Sequence, residues 1–354
     1  MSYEVGDGMR LALTPNTLSR RRGGSAQAAI GGLLWLLLAL LLWIGSGRVL
    51  PAGLASFTPR VQGLVTIFLG IFIEALPFVV AGVLVSSAIA LFVSDRWIQR
   101  LTPQDPLRTA LAGSLLGLLF PVCECGTVPT TRRLLHKGAP LPFGVAFLLA
   151  APVVNPIVLA STYIAFNGDW LMVGSRFGLT ILIAVTVALV LNWLPRRQTL
   201  LAPGLAQPGD GCGCEHTAHT RSLSGVLRHS ADELIEMGRW LILGALLAAT
   251  LQTFVSQSTL LSIGSGPVVS VVVLMALAVV LSVCSTVDAF LALALSATFG
   301  PGALLAFLVF GPMIDIKSTM LFLTTLSGRA VAWIIALVAP LVLAAGVLVN
   351  LMAG

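Results

Sequence analysis

Apolar, nearly uncharged stretches of about 20 residues recur through this chain, at roughly 27 to 45, 62 to 93, 141 to 165, 170 to 194, 230 to 256, 301 to 325 and 329 to 351. Each is long enough to carry an α-helix across the hydrocarbon core of a bilayer. A spanning segment must satisfy every backbone amide internally, so repeated runs of this length lead to a helical bundle. Charged residues make up only 10% of the 354 residues, against about a quarter in soluble domains. A water-soluble globular fold is excluded, and the chain is read as an all-α polytopic membrane protein whose first partner is the lipid bilayer.

Two more stretches, roughly 107 to 137 and 266 to 299, are too long for one span, and each is interrupted by a cysteine segment. These are Phe120-Pro121-Val122-Cys123-Glu124-Cys125-Gly126 and Leu281-Ser282-Val283-Cys284-Ser285-Thr286. With Pro121 and Pro129 breaking the first, each stretch is expected to be a broken helical hairpin, re-entrant or made of short spans. Irregular backbone at that depth survives only where protein buries it or water lines it. Both cysteine segments are therefore expected at the centre of the bundle.

The formal charge of +6 does not point to nucleic acid, because Arg20-Arg21-Arg22, Arg132-Arg133 and Arg196-Arg197 flank hydrophobic spans, where orientation signals belong. A cytoplasmic N-terminus puts Arg96, Arg100, Arg108, Arg132, Arg133, Lys137, Arg196, Arg197, Arg221, Arg228 and Arg329 inside. The Asn167 to Asp169 and Ser256 to Gly266 loops fall outside, and Arg48 and Arg60 alone sit on the wrong side. The expected order is a cytoplasmic tail (1–26), an extra helix retained as an anchor with its loop (27–60), a first repeat (61–194), a cytoplasmic linker (195–228) and a second repeat (229–354).

The two repeats are visible in the residues. Ile73-Glu74 and Gly82 recur as Ile235-Glu236 and Gly244, Val122-Cys123 as Val283-Cys284, and Ala146-Phe147-Leu148 as Ala306-Phe307-Leu308. Pro152 matches Pro312 and Asn155 matches Asp315, all at offsets of about 160, while Arg176 and Arg329 each precede the last helix of their half. An odd number of crossings per half makes the repeats inverted. Inverted repeats with paired broken elements are the architecture of secondary transporters, with substrate held near the midplane between the halves.

Several residues carry possible chemistry. Glu74 and Glu236 lie in apolar runs, where an acidic residue costs about 2.5–3.5 kcal/mol on insertion scales, and a proton-coupling role is expected of them; a partly interfacial position is the alternative for Glu236. Cys123, Cys125 and Cys284 can present soft sulfur around Glu124 to one thiophilic species, or pack as small hydrophobes. Pro152 and Asn155-Pro156, with Pro312 and Asp315 in the second half, interrupt helices and free carbonyls to face a substrate. Asp288, Asp315 and Lys317 are candidate site charges or structural pairs, although Asp315 and Lys317, two apart on a helix, share no face. In the linker, Cys212, Cys214, His216 and His219 offer metal ligands within eight residues, against a flexible connector with incidental ligands. The close cysteine pairs argue against a disulfide framework. No phosphate-binding loop and no nucleophile with its base stands out, so neither an ATPase, another enzyme nor a cofactor is expected.

The run Pro121-Val122-Cys123-Glu124-Cys125-Gly126-Thr127-Val128-Pro129, then Arg132-Arg133-Leu134-Leu135-His136-Lys137-Gly138, and Leu149-Ala150-Ala151-Pro152-Val153-Val154-Asn155-Pro156 resemble the predicted bacterial permeases related to the ArsP-type organoarsenical permease, over roughly residues 60 to 350. The resemblance implies a multi-pass permease of the bacterial inner membrane. ArsP-type members export trivalent organoarsenicals, and the resemblance implies a cargo of that kind. By that likeness Cys123, Asn155-Pro156 and Asp315 lie at the translocation site. The expected partner is a small-molecule or metalloid substrate, with assembly into a homo-oligomer left open. The rival readings are a carrier or channel for an unrelated solute, with structural cysteines, and a membrane thiol-redox protein.

Overall fold

The computed structural model describes residues 58–92, 105–120, 123–194, 200–201, 223–254 and 266–353, with four helical positions at 32, 35, 36 and 39. The 1–26 tail, most of the 27–60 segment and the linker ligands Cys212, Cys214, His216 and His219 lie outside the described residues. So do Pro121, Val122, Arg96 and Arg100.

The described residues form twelve helices: α1 Thr58–Phe92, α2 Pro106–Leu116, α3 Glu124–His136, α4 Leu141–Val154, α5 Pro156–Ala165, α6 Trp170–Trp193, α7 Leu223–Phe254, α8 Val269–Leu281, α9 Asp288–Leu295, α10 Pro301–Met313, α11 Ile316–Phe322 and α12 Gly328–Ala353. There is no strand among them, only a single antiparallel bridge between Leu201 and Leu326. The second half follows the order of the first, with one long helix, two short ones around a cysteine break, two around a proline-linked break, and one long helix. The last linker residues are already helical, since α7 starts at Leu223. Among the described residues, six segments are long and apolar enough to cross a membrane: Val61–Ile89, Leu141–Ala165, Trp170–Trp193, Glu233–Phe254, Pro301–Phe322 and Gly328–Met352.

Local sequence explains the breaks. Asn155 precedes Pro156, whose ring disfavours helical backbone in the residue before it, and Asn155 is extended at φ −65°, ψ 149°. Pro156 then opens α5 at a position where its missing N–H costs nothing, and Asn155 Oδ1 accepts from Val158 N at 2.9 Å. In the second half Asp315, extended at φ −126°, ψ 176°, caps α11 by accepting from Ser318 N. Pro152 and Pro312 themselves stay helical, inside the last turn of α4 and α10, and each break falls two or three residues later. Pro129 likewise lies within α3 without ending it.

The two broken spans form the middle of the bundle: 72% of the Leu141–Ala165 window and 83% of the Pro301–Phe322 window are buried, against 28% to 44% for the other four. Around them α2 packs on α4 and α4 on α6, as α8 packs on α10 and α10 on α12. The halves also exchange contacts reciprocally, α3 against α11 and α9 against α5, with α1 lying along α7. Glycines set the closest approaches: a Cβ on Gly82 of α1 would sit 2.4 Å from Gly126 Cα of α3, and one on Gly244 of α7 would sit 3.0 Å from Lys317 Cα of α11. The two glycines that the repeat pairs thus press α1 and α7 onto the two elements that carry the central charges.

Candidate transport site

Cys123 is extended (φ −80°, ψ −179°) and stands at the N-cap of α3, where its carbonyl accepts from Gly126 N and Thr127 N at 3.0 and 3.1 Å. Glu124 is therefore the first helical residue, and its carboxylate sits at the positive end of the α3 dipole. Every α3 residue from Glu124 to Thr131 is buried. In the second half α8 ends at Ser282, held in the left-handed region at φ 49°, ψ 40°. The chain then turns through Cys284, whose carbonyl accepts from Val287 N and Asp288 N at 3.0 and 3.1 Å, and restarts as α9 at Asp288.

These two turns meet α11. Lys317 Nζ lies 2.8 Å from Glu124 Oε1 and 3.6 Å from Asp315 Oδ2, and donates to Ser282 O at 3.3 Å; all three charged side chains are almost wholly buried. The ammonium thus touches both halves. Asp315 reaches Lys317 because it is the extended cap residue and not a helical one, so the expectation that these two share no face is corrected. Cys123 Sγ, Cys284 Sγ and a Glu124 carboxylate oxygen all lie within 4.8 Å of one another. The third expected thiol, Cys125, is buried beside Cys123, but the third converging donor is the carboxylate oxygen.

Several polar atoms around this point are buried without a hydrogen-bond partner: Glu124 Oε2, Ser282 Oγ, Ser285 Oγ, Asp315 Oδ2 and Ser318 Oγ. Glu124 Oε1 belongs with them, since its 2.8 Å approach to Lys317 is an ion contact without hydrogen-bond alignment. A buried polar group left unpaired costs about 1–3 kcal/mol. Five side chains, contributed by α3, the cysteine break and the start of α11, hold such atoms, the cost at Glu124 and Asp315 being offset in part by Lys317.

A second ion pair crosses the halves. Arg176, wholly buried in the second turn of α6, not ahead of it, donates through Nη2 to Asp288 Oδ2 at 2.7 Å and Ser285 O at 3.4 Å, and through Nη1 to Thr162 Oγ1 at 2.7 Å. The expected proton couplers do not share one environment. Glu236 ion-pairs with Arg132 of α3 at 2.8 Å and stays partly exposed, while half-buried Glu74 has no ion-pair partner among the described residues. Glu233, one turn before Glu236, accepts from Ser86 Oγ of α1 at 3.1 Å. Asn155 is buried at its cap, and Pro152, Pro156 and Pro312 serve the breaks that set α5 and α11.

In the sequence Arg176 served only as a repeat marker, and Ser282, Ser285, Ser318 and Glu233 were given no role. Arg176 carried a usable signal, a lone charge within an apolar span. The serines carried none, because an intramembrane hydroxyl normally bonds a carbonyl of its own helix, as Thr130 and Thr131 do here.

Residues 60–351 match a family described as "Predicted permease". The chain is 46% identical over 285 residues to UPF0718 protein YcgR of Bacillus subtilis (strain 168), covering 80% of this chain and 96% of that protein. It is 37% identical over 255 residues to a Streptococcus mutans (strain ATCC 700610 / UA159) protein named "Putative two-component membrane permease complex subunit", covering 72% and 84%. No solved structure matches. With six membrane-length helices around a buried polar centre, a family match over nearly the whole described bundle and a relative named for a permease complex, the chain belongs to the predicted permease family, whose ArsP-type members it resembles.

Proposed function

We propose that the protein is a secondary carrier of the bacterial inner membrane that exports a small solute with affinity for soft ligands, a trivalent organoarsenical or a thiophilic metal, by proton-coupled alternating access. The observation that carries this reading is the convergence of Cys123 and Glu124 from the first half with Cys284 from the second, in a buried region that also holds unpartnered polar atoms. Two sulfurs from two halves let one bound solute bridge the elements that must move apart. Few thiol contacts also let it leave again, as a carrier requires.

The repeats are read as inverted, with an N-terminus in the cytoplasm. The reciprocal packing of α3 on α11 and α9 on α5 is what a pseudo-two-fold axis between the halves produces. Glu74 and Glu236 remain the proposed proton couplers, and Cys212, Cys214, His216 and His219 a proposed cytoplasmic trap feeding the site. The test is growth and cellular metal or arsenic content in a sensitive host, comparing wild type with Cys123→Ser/Cys284→Ser under methylarsenite, arsenite, copper and zinc. Protection by wild type alone is the expected result. Equal protection by the variant would transfer the reading to an unrelated solute with structural cysteines.

A second reading is carried by the Streptococcus mutans relative's name, which assigns it to a two-component complex. On this reading the chain works with a second subunit, and co-purification of one stoichiometric membrane partner from the native host tests it.

A further inference from the structure

The converging donors are two sulfurs and one carboxylate oxygen of Glu124, and a cation already sits on that carboxylate. An inorganic trivalent metalloid bound through sulfur alone would recruit a third thiol, yet the atom that completes the triple with Cys123 and Cys284 belongs to Glu124, not to Cys125. A mixed set of two thiolates and one carboxylate suits a borderline divalent ion of the zinc type. Lys317 Nζ, 2.8 Å from Glu124 Oε1, is the positive charge that this carboxylate faces without cargo. It also has somewhere to go: Asp315 Oδ2 lies 3.6 Å away without a hydrogen-bond partner, and Ser282 O already accepts from Nζ at 3.3 Å.

Resting on the carrier reading above, we infer that the cargo is a divalent thiophilic cation bound by Cys123, Glu124 and Cys284, and that Lys317 is a tethered stand-in which moves from Glu124 to Asp315 when the cation enters. Binding forms two metal–sulfur bonds and one metal–oxygen bond and releases the two thiol protons. The site's charge is then the same with and without cargo, because two protons leave as two positive charges arrive. An empty carrier would otherwise hold Glu124 as a bare buried carboxylate, and the tethered ammonium removes that obstacle to crossing the membrane unloaded. A neutral arsenical that condenses with the two thiols releases water instead of protons and leaves the Glu124–Lys317 pair intact.

The test uses the full chain purified in detergent and titrated with cadmium chloride, zinc chloride or phenylarsine oxide in weak buffer. Sulfur-to-cadmium ultraviolet absorption and released protons are read together. The expected result is one cadmium per chain with about two protons released, lost in Cys123→Ser/Cys284→Ser. Glu124→Gln weakens cadmium binding roughly 10-fold, while Lys317→Gln strengthens it by a similar factor, an effect that a purely structural lysine would not give. Asp315→Asn, which keeps the cap and removes the acceptor for the displaced ammonium, weakens binding. No cadmium absorption in folded wild type, weaker binding in Lys317→Gln, or unchanged affinity in Asp315→Asn would each overturn the inference. If phenylarsine oxide consumes Cys123 and Cys284 where cadmium does not, the divalent cargo is wrong and the soft-solute carrier stands. If neither reagent reaches those thiols, both readings fall.

Discussion

Lys317 concentrates the electrostatics of the centre in one side chain, since it faces Glu124 from the other half and Asp315 from its own helix start. Both carboxylates are about 1% exposed, so removing one partner leaves a charge with little water to relax it. Loss of one member of a buried pair typically costs about 3–5 kcal/mol, whereas replacing both with neutral groups is often near neutral. Glu124→Gln and Lys317→Met are therefore each expected to lower the thermal midpoint of the detergent-solubilised chain. The triple variant that also carries Asp315→Asn should recover most of the loss, and a triple variant no better than the worst single one would show that the charge cluster contributes little to stability. Arg176→Lys tests the second pair. A lysine keeps the charge but cannot spread donors over Asp288, Ser285 O and Thr162 as the guanidinium does, so reduced transport with only modest destabilisation is expected.

The helices reach this centre through two devices, capped breaks and glycine crossings. Asn155 and Asp315 stop one helix and start the next with the same side-chain cap, and losing such a cap costs about 1 kcal/mol. Asn155→Ala should lower stability by about that amount in denaturant or thermal melts and change transport mainly by shifting α5. Asp315→Ala removes both the cap and the carboxylate that faces Lys317, so its effect on transport should be clearly the larger. At the crossings, a Cβ on Gly82 meets backbone atoms of Gly126 at 2.4 to 2.9 Å, which nothing short of separating α1 from α3 can relieve. The repeat-equivalent Cβ on Gly244 comes no nearer than 3.0 Å to Lys317. Gly82→Ala is thus expected to abolish transport or folding, and Gly244→Ala to give a milder loss, measured as folded yield and flux. Equal tolerance at both would contradict the close-packed α1–α3 contact.

Across the molecule, the inverted-repeat reading makes a topological prediction. A fluorescent reporter inserted in the 195–228 linker should fluoresce, and a phosphatase fused after Gly354 should be active on the outer face; a cytoplasmic C-terminus would count against inversion. What the sequence determined by itself was decided by short-range physics: membrane-length apolar runs require helices, and residues before or after proline and at caps mark where those helices stop. The repeat signature likewise named Cys123, Cys284, Asn155 and Asp315 from local pattern alone. Which donors face one another was not legible, because it depends on elements from 112 to 193 residues apart in sequence meeting across the bundle. Only the tertiary structure set Glu124 in place of Cys125 beside the two thiols, brought Lys317 onto it, and paired Arg176 with Asp288. A buried charge is settled by the partner it finds in space, and neither composition nor periodicity records that partner.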